Sequence, residues 1–340
     1  MLYFVSDNNS PASPTILKAL YEASQGNAGS YGFDRWSARL HAVFSEFFEK
    51  EVSVFVTPTG TAANALAISS IAESFGEVLC HSTAHILSSE GGAVELLSGG
   101  CRLQAVGGDG GLIGIEQFRN QVDSAARAGP HQRALTVLSV SQPTESGTLY
   151  SRGHLEELCQ LAHSSNMKVH MDGARFSNAL AALGASPADC TWRRGIDVLS
   201  FGTTKNGTLN AEAVISFDSE ISRRLKFLQK RAGYLTSKMR YQAVQLLAFL
   251  EDDFWLDSAK RANSLAERLL DAFSAQKDAV VRESVDTNQL FLKLSNSLIK
   301  HLKDHDIEFR EWKTGVFRLV TSYCDDEAVE TVERALRARS

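Results

Sequence analysis

The sequence predicts an α/β protein, a mostly parallel central sheet with helices on both faces, followed by a small C-terminal α+β domain. Between Glu51 and Phe217, short β-branched or apolar runs alternate with amphipathic stretches. That is the pattern of parallel strands joined by crossover helices. Beyond Tyr241 the pattern changes to long helical spacing interrupted by short strands. A chain of 340 residues has room for more than one domain and for a large core.

In order, strands are expected at Val52–Val56, Glu77–Cys80, Leu135–Val140, Lys168–Met171, Val198–Phe201 and Ala213–Phe217. Ala62, Ala63, Leu66, Ala67 and Ile71 recur at helical spacing, as do Leu155, Leu158, Cys159 and Ala162, so both stretches read as helices on the sheet. The C-terminal part reads as a long helix over Val244–Leu250 and Asp252–Ser274, a strand at Gln289–Leu294 and a helix at Ser297–Asp304. A strand at Phe317–Thr321 and a last helix from Asp325 complete it. The chain thus divides into a segment 1–14, a large domain 15–243 and a small domain 244–340. The first segment is too short to fold alone and is expected to lie across the large domain or a partner subunit.

Lys and Arg number 35 against 40 Asp and Glu (35 − 40 = −5), which gives no long-range attraction to phosphate backbones or anionic membranes. Nucleic acid is therefore not an expected partner. The five cysteines form no CxxC pair, so no zinc cluster or redox motif is expected, and the odd count suits a reducing cytoplasm. The amino terminus lacks a basic stretch followed by an apolar one, and no apolar run approaches the roughly 20 residues of a membrane span. The chain is read as complete, cytosolic and not membrane-bound.

Val169-His170-Met171-Asp172-Gly173-Ala174-Arg175 is a strand whose carboxyl end presents an acid and an arginine. Ligands of open α/β sheets bind off that end, so Asp172 either faces a ligand or caps the next helix. The Asp197–Phe201 strand run ends in Gly202-Thr203-Thr204-Lys205-Asn206-Gly207. Lys205 is either a desolvated nucleophilic amine or a solvated loop residue. Pro58-Thr59-Gly60-Thr61-Ala62-Ala63-Asn64 follows a strand and opens a helix, where free N–H groups and the helix dipole can cradle a phosphate. It matches neither the Walker pattern nor GxGxxG, and an ordinary N-cap would read the same. His81 and His85 stand at i and i+4 without a third metal ligand or the HExxH order, so no metal is expected. An imidazole at a strand end can instead lie against a cofactor ring.

Taken together, and with Ser6-Asp7-Asn8, Tyr31-Gly32, Glu90, Gly92-Ala93, Ser237-Lys238-Met239-Arg240 and Arg318-Leu319-Val320-Thr321, the sequence resembles the low-specificity threonine aldolases. These are pyridoxal-phosphate enzymes of the aspartate-aminotransferase-like fold, fold type I. The combination carries the resemblance, since each short motif alone is weak. It implies pyridoxal 5'-phosphate bound in the large domain, with Lys205 as its Schiff-base lysine and Asp172 holding the pyridine nitrogen protonated. His85 would stack on the ring, and Gly60 and Thr61 would bind the phosphate. Ser6, Arg175 and Arg318 would hold the substrate carboxylate, arginine being suited by its planar fork. Arg240 and Tyr31 would reach the neighbouring subunit's site, which implies a homodimer or homotetramer.

The implied reaction is cleavage of a β-hydroxy-α-amino acid, L-threonine, L-allo-threonine or phenylserine, to glycine and an aldehyde. The sequence departs from many family members where it reads Ser141-Gln142-Pro143-Thr144-Glu145-Ser146-Gly147, placing Glu145 at a histidine's position. The longer-chain type that includes phenylserine aldolases looks similar here. The β-hydroxyl proton then falls to His85, Glu145, a water or the cofactor phosphate. A β-eliminating lyase or amino-acid racemase on the same cofactor is the alternative.

Overall fold

A computed structural model describes residues 1–339. Its strands are β1 Leu2–Tyr3, β2 Ser53–Thr57, β3 Glu77–His81, β4 Arg102–Val106, β5 Leu135–Ser141, β6 Lys168–Gly173, β7 Val198–Phe201 and β8 Glu212–Ser216, then β9 Ala279–Val281, β10 Gln289–Leu294, β11 Ile307–Glu308, β12 Arg310–Lys313 and β13 Val316–Val320.

The large sheet runs β2-β8-β7-β6-β5-β3-β4. Strands β4, β3, β5, β6 and β7 are parallel, and β8 runs antiparallel to both β7 and β2. Because side chains alternate across a strand, each strand feeds two cores. Val78 and Cys80 join Val137, Val198 and Val214 in one, against helices Gly60–Ile71 and Ser219–Arg231. Leu79, Leu138, Met171 and Leu199 join the other, against helices Arg35–Phe47, Arg152–Ser164 and Arg240–Leu250. Both faces are covered, as the alternating pattern requires. Phe201 anchors the second core, packing on Phe44 at 5.5 Å and Phe47 at 5.8 Å between ring centroids.

The small sheet runs β12-β13-β10-β9, all antiparallel. Its core joins Leu290, Leu292 and Leu319 to Leu265, Leu269 and Phe273 of the helix Phe254–Ser274.

The departures from the sequence reading have local causes. β4 is absent from it because an edge strand reading Arg-Leu-Gln-Ala-Val shows no sustained apolar run. The long helix starts at Phe254 rather than Asp252, because Asp252 and Asp253 adopt φ +51° and +56°, outside the helical region. Within the segment 1–14, residues 1–4 lie on the small domain, where β1 pairs in parallel with β11 and Phe4 is fully buried in the core, while Asp7 and Ser13 bond the large domain through Arg175 and the Gly207 carbonyl.

Candidate active site

The ends of β5, β6 and β7 meet the small sheet at a cleft of about 280 Å3, the scale of a small-molecule ligand. Ser6, Gly60, Thr61, His85, Glu145, Asp172, Arg175, Lys205 and Arg318 all line it, brought together from every part of the chain.

Lys205 lies in a short turn just past β7. Glu212, buried in β8, fixes that turn by accepting hydrogen bonds from the N–H groups of Thr203 at 2.7 Å and Thr204 at 3.3 Å. Gly202 lets it approach the Asp172 turn, since a Cβ there would stand 2.6 Å from the Ala174 backbone. Burial, reinforced by the charge of Arg175, lowers the Lys205 pKa from its ordinary value and favours the neutral amine.

Asp172 does not cap the following helix, whose N-cap is Arg175. Its Oδ1 accepts from Ala174 N at 2.9 Å, and its Oδ2 accepts from Asn64 Nδ2 at 2.8 Å. Asn64 also donates to Glu90 Oε1 at 2.8 Å, and that oxygen lies 2.8 Å from His85 Nδ1. The Glu90 contact raises the His85 pKa, and burial raises that of Glu90. His85, Glu90, Asp172 and Asn64 of the helix Gly60–Ile71 are thereby tied into one network.

At that helix start Thr59 Oγ1 accepts from Ala62 N at 3.1 Å, leaving the N–H groups of Gly60 and Thr61 free of intrahelical partners. A Cβ on Gly60 would meet nothing within 4 Å, and Gly60 and Thr61 both face the cleft.

Glu145 Oε1 accepts from His85 N at 2.9 Å and Ser141 Oγ at 2.8 Å, while its buried Oε2 has no partner. Burial, with the nearby Asp172 charge, raises its pKa.

The two arginines differ from each other. Arg175 already turns its side edge onto Asp7, with Nε at 2.6 Å and Nη2 at 2.9 Å, so a ligand carboxylate would meet its end, Nη1 and the second hydrogen of Nη2. Arg318 donates from Nη2 to Val5 O at 3.0 Å, and its buried Nε has no partner. Burial, with Arg175 behind it, brings its pKa down to about 10.

Two sequence-selected residues stand outside this cleft. Tyr31, at φ +56°, is exposed under Lys230, and its N–H donates to Ser237 O at 3.0 Å. Arg240 Nη1 donates to Gly26 O at 3.1 Å in a small surface cavity with residues 27–30. His170, between the cleft motifs in sequence, is buried and satisfied by the hydroxyls of Ser139 and Ser200, each at 2.9 Å.

Sequence reasoning gave no role to Asp7, Glu212, Gln289, Arg310 or Trp312, of which Gln289, Arg310 and Trp312 line the cleft. Gln289 carried a faint signal, as a polar residue opening an apolar strand. Arg310-Glu-Trp-Lys carries charge on a short edge strand and gives none. Among the described residues no cluster of His, Cys, Asp or Glu could hold a metal ion. No helix among them is long and apolar enough to cross a membrane.

Known proteins resemble this chain over nearly its whole length. The low specificity L-threonine aldolase of a Pseudomonas species is 35% identical over 326 residues, 96% of this chain and 94% of that protein. Its namesake from Pseudomonas aeruginosa is 35% identical over 336 residues, 98% of this chain and 96% of that one. The solved structure of a Leishmania major threonine aldolase superposes with a TM-score of 0.92 at 24% identity, covering 100% of both chains. An aspartate aminotransferase from Thermotoga maritima superposes at 0.70 with 16% identity, covering 97% of this chain and 89% of that one. The fold is therefore the aspartate-aminotransferase-like fold type I. The sequence model of the beta-eliminating lyases matches residues 3–297, which takes in every cleft wall except the hairpin bearing Arg310, Trp312 and Arg318. On a match of that extent, the chain belongs to the beta-eliminating lyase family.

Proposed function

We propose that the cleft cleaves β-hydroxy-α-amino acids, L-threonine and L-allo-threonine among them, to glycine and an aldehyde, with pyridoxal 5'-phosphate as cofactor. The observation that supports this most is the convergence, off neighbouring strand ends, of a desolvated Lys205 and Asp172 with the unpartnered Nε of Arg318. The relatives named above for threonine aldolase activity point the same way.

The cleft fits the cofactor. Lys205 would hold it covalently, Asp172 would face its ring nitrogen, His85 would lie against the ring, and Gly60 and Thr61 would take its phosphate at the helix start. When bound, the cofactor supplies an electron sink for the bond broken at Cα. Arg318, with Ser6 and the free end of Arg175, fixes the substrate carboxylate. Fixing it orients the Cα–Cβ bond for cleavage.

On this reading Glu145 takes the β-hydroxyl proton. Ser141 and the His85 N–H hold one carboxylate oxygen and leave Oε2 unbonded. Its raised pKa suits a base that must also give the proton back. The enzyme is read as cytosolic and as a homodimer or homotetramer in which Tyr31 and Arg240, outside their own cleft, reach the neighbouring one.

The test is release of glycine and aldehyde by the pyridoxal-loaded protein, run with L-threonine, L-allo-threonine, their D isomers and phenylserine. Glycine from the L series supports the reading. Silence on all of them, with pyruvate or a mirror-image amino acid formed from other substrates, would replace it by elimination or racemisation.

A further inference from the structure

The small sheet turns one face to the cleft, and that face carries more unanswered donors than an α-carboxylate needs. Arg318 on β13 lies directly opposite Phe291 on β10 and opposite Arg310 on β12. Directly paired residues share a face, as do residues two apart on a strand. Gln289, Phe291, Arg318 and Arg310 therefore form one surface, and Trp312, where the β12 register shifts, joins it by packing on Arg318 and Phe291.

Gln289 is fully buried, yet neither its Nε2 nor its Oε1 has a partner. Arg318 Nε is in the same condition. Arg310 is exposed, and its side chain makes no hydrogen bond or ion pair among the described residues. Trp312 is engaged by the Arg318 guanidinium at 5.0 Å and the Phe291 ring at 5.8 Å. Like charges directly opposite on adjacent strands destabilise a sheet. An anion beside Arg310 and Arg318 would offset that cost.

We propose that this wall recognises a second carboxylate, so that the preferred substrate is a β-hydroxy-α-amino acid whose β-substituent is itself anionic. The shortest such compound is 3-hydroxyaspartate. This rests on the aldolase reading above and names its substrate class. Arg318 takes the α-carboxylate, and the more exposed Arg310 takes the distal one through its planar fork. The Gln289 amide faces the substrate from the buried end of the wall. Cleavage breaks the Cα–Cβ bond. The β-hydroxyl proton leaves to a base, Cα gains one proton, and 3-hydroxyaspartate becomes glycine and glyoxylate with no oxidant or reductant.

The experiment measures glycine release by the pyridoxal-loaded enzyme and its Arg310→Met variant from L-threo-3-hydroxyaspartate, L-threonine and phenylserine. In parallel, calorimetry measures binding of L-aspartate and L-alanine, which have no β-hydroxyl and cannot undergo this cleavage. Arg310 is exposed, so its replacement leaves the fold intact. A charge-assisted contact of this kind gives hydroxyaspartate roughly a tenfold or greater advantage in kcat/KM over threonine, and L-aspartate a similar advantage in binding over L-alanine. Both advantages disappear in Arg310→Met.

Hydroxyaspartate cleaved no better than threonine, or a preference for phenylserine, with both ratios unmoved by the substitution, overturns the proposal while glycine release keeps the aldolase reading. Glycine from none of the three, with aspartate still selected through Arg310, keeps the anion-reading wall and removes the aldolase reading. Neither glycine nor selective binding removes both.

Discussion

Arg175 turns the Nε and Nη2 edge of its guanidinium onto Asp7, 168 residues away in sequence, at 2.6 and 2.9 Å. Asp7 is 1% exposed and also accepts from Asn288 Nδ2 at 3.1 Å, so one carboxylate joins the amino-terminal segment, the large domain and the small domain beside the cleft.

Breaking this pair should therefore be costly. Asp7→Asn leaves a nearly buried guanidinium without its counter-ion, a change worth about 3–5 kcal/mol, read as a lower urea midpoint. Burial would raise the Asp7 pKa, but the charge and hydrogen bonds of Arg175, the Lys205 charge and the Asn288 amide together hold it below its ordinary value. A depressed folded-state pKa contributes stability above the unfolded value of 3.8 and loses it as pH falls through the folded one. Wild type should lose this increment on acidification below about pH 4, and Asp7→Asn should show no such loss.

Lys205 should react as an amine less basic than a free lysine. In cofactor-free protein, the rate at which added pyridoxal phosphate develops a visible absorption band should rise with pH and reach half its maximum below the ordinary lysine value of 10.5. Lys205→Ala should develop no aldimine band beyond the absorption of free pyridoxal phosphate while keeping its far-ultraviolet circular dichroism. A half-maximum at or above the free-lysine value would remove the desolvated-amine argument.

Glu145 should govern the acidic side of the activity profile. A base must be deprotonated, and burial raises this carboxyl above 4.5, so the acidic limb of kcat/KM should lie above that value. Glu145→Gln should lower kcat by about 10²–10⁴-fold, abolish that limb and leave KM nearly unchanged. An intact limb in the variant would transfer the role to His85, a water or the cofactor phosphate.

Phe201 closes β7 immediately before the Lys205 turn and is 0% exposed among aromatic neighbours. Phe201→Ala should cost about 3–5 kcal/mol through the cavity it leaves, measured by chemical unfolding. It should also weaken pyridoxal phosphate binding, because the Lys205 turn loses its packed support. Stability falling with cofactor affinity unchanged would show that Glu212 alone holds the turn.

Much of this protein is legible from sequence because its signals are local. Apolar periodicity located the strands of the large sheet apart from β4, and a strand end followed by Asp172 or Lys205 marked the cleft, since ligands bind where parallel strands stop. The strand-to-helix turn at Pro58–Asn64 was legible too, although only the structure decides that Thr59 is the cap and Gly60 the first helical residue. What the sequence could not determine is which distant group each side chain meets.

Nothing near Arg175 announces that Asp7 occupies its fork, and nothing near Glu145 announces that the His85 N–H holds one of its oxygens. The pairing of β1 with β11, and the register that sets Arg310 beside Arg318, are equally silent. Secondary structure follows from the spacing of neighbouring residues. Ion pairs, strand partners and unsatisfied donors follow from how finished elements pack, and only the tertiary structure decides that.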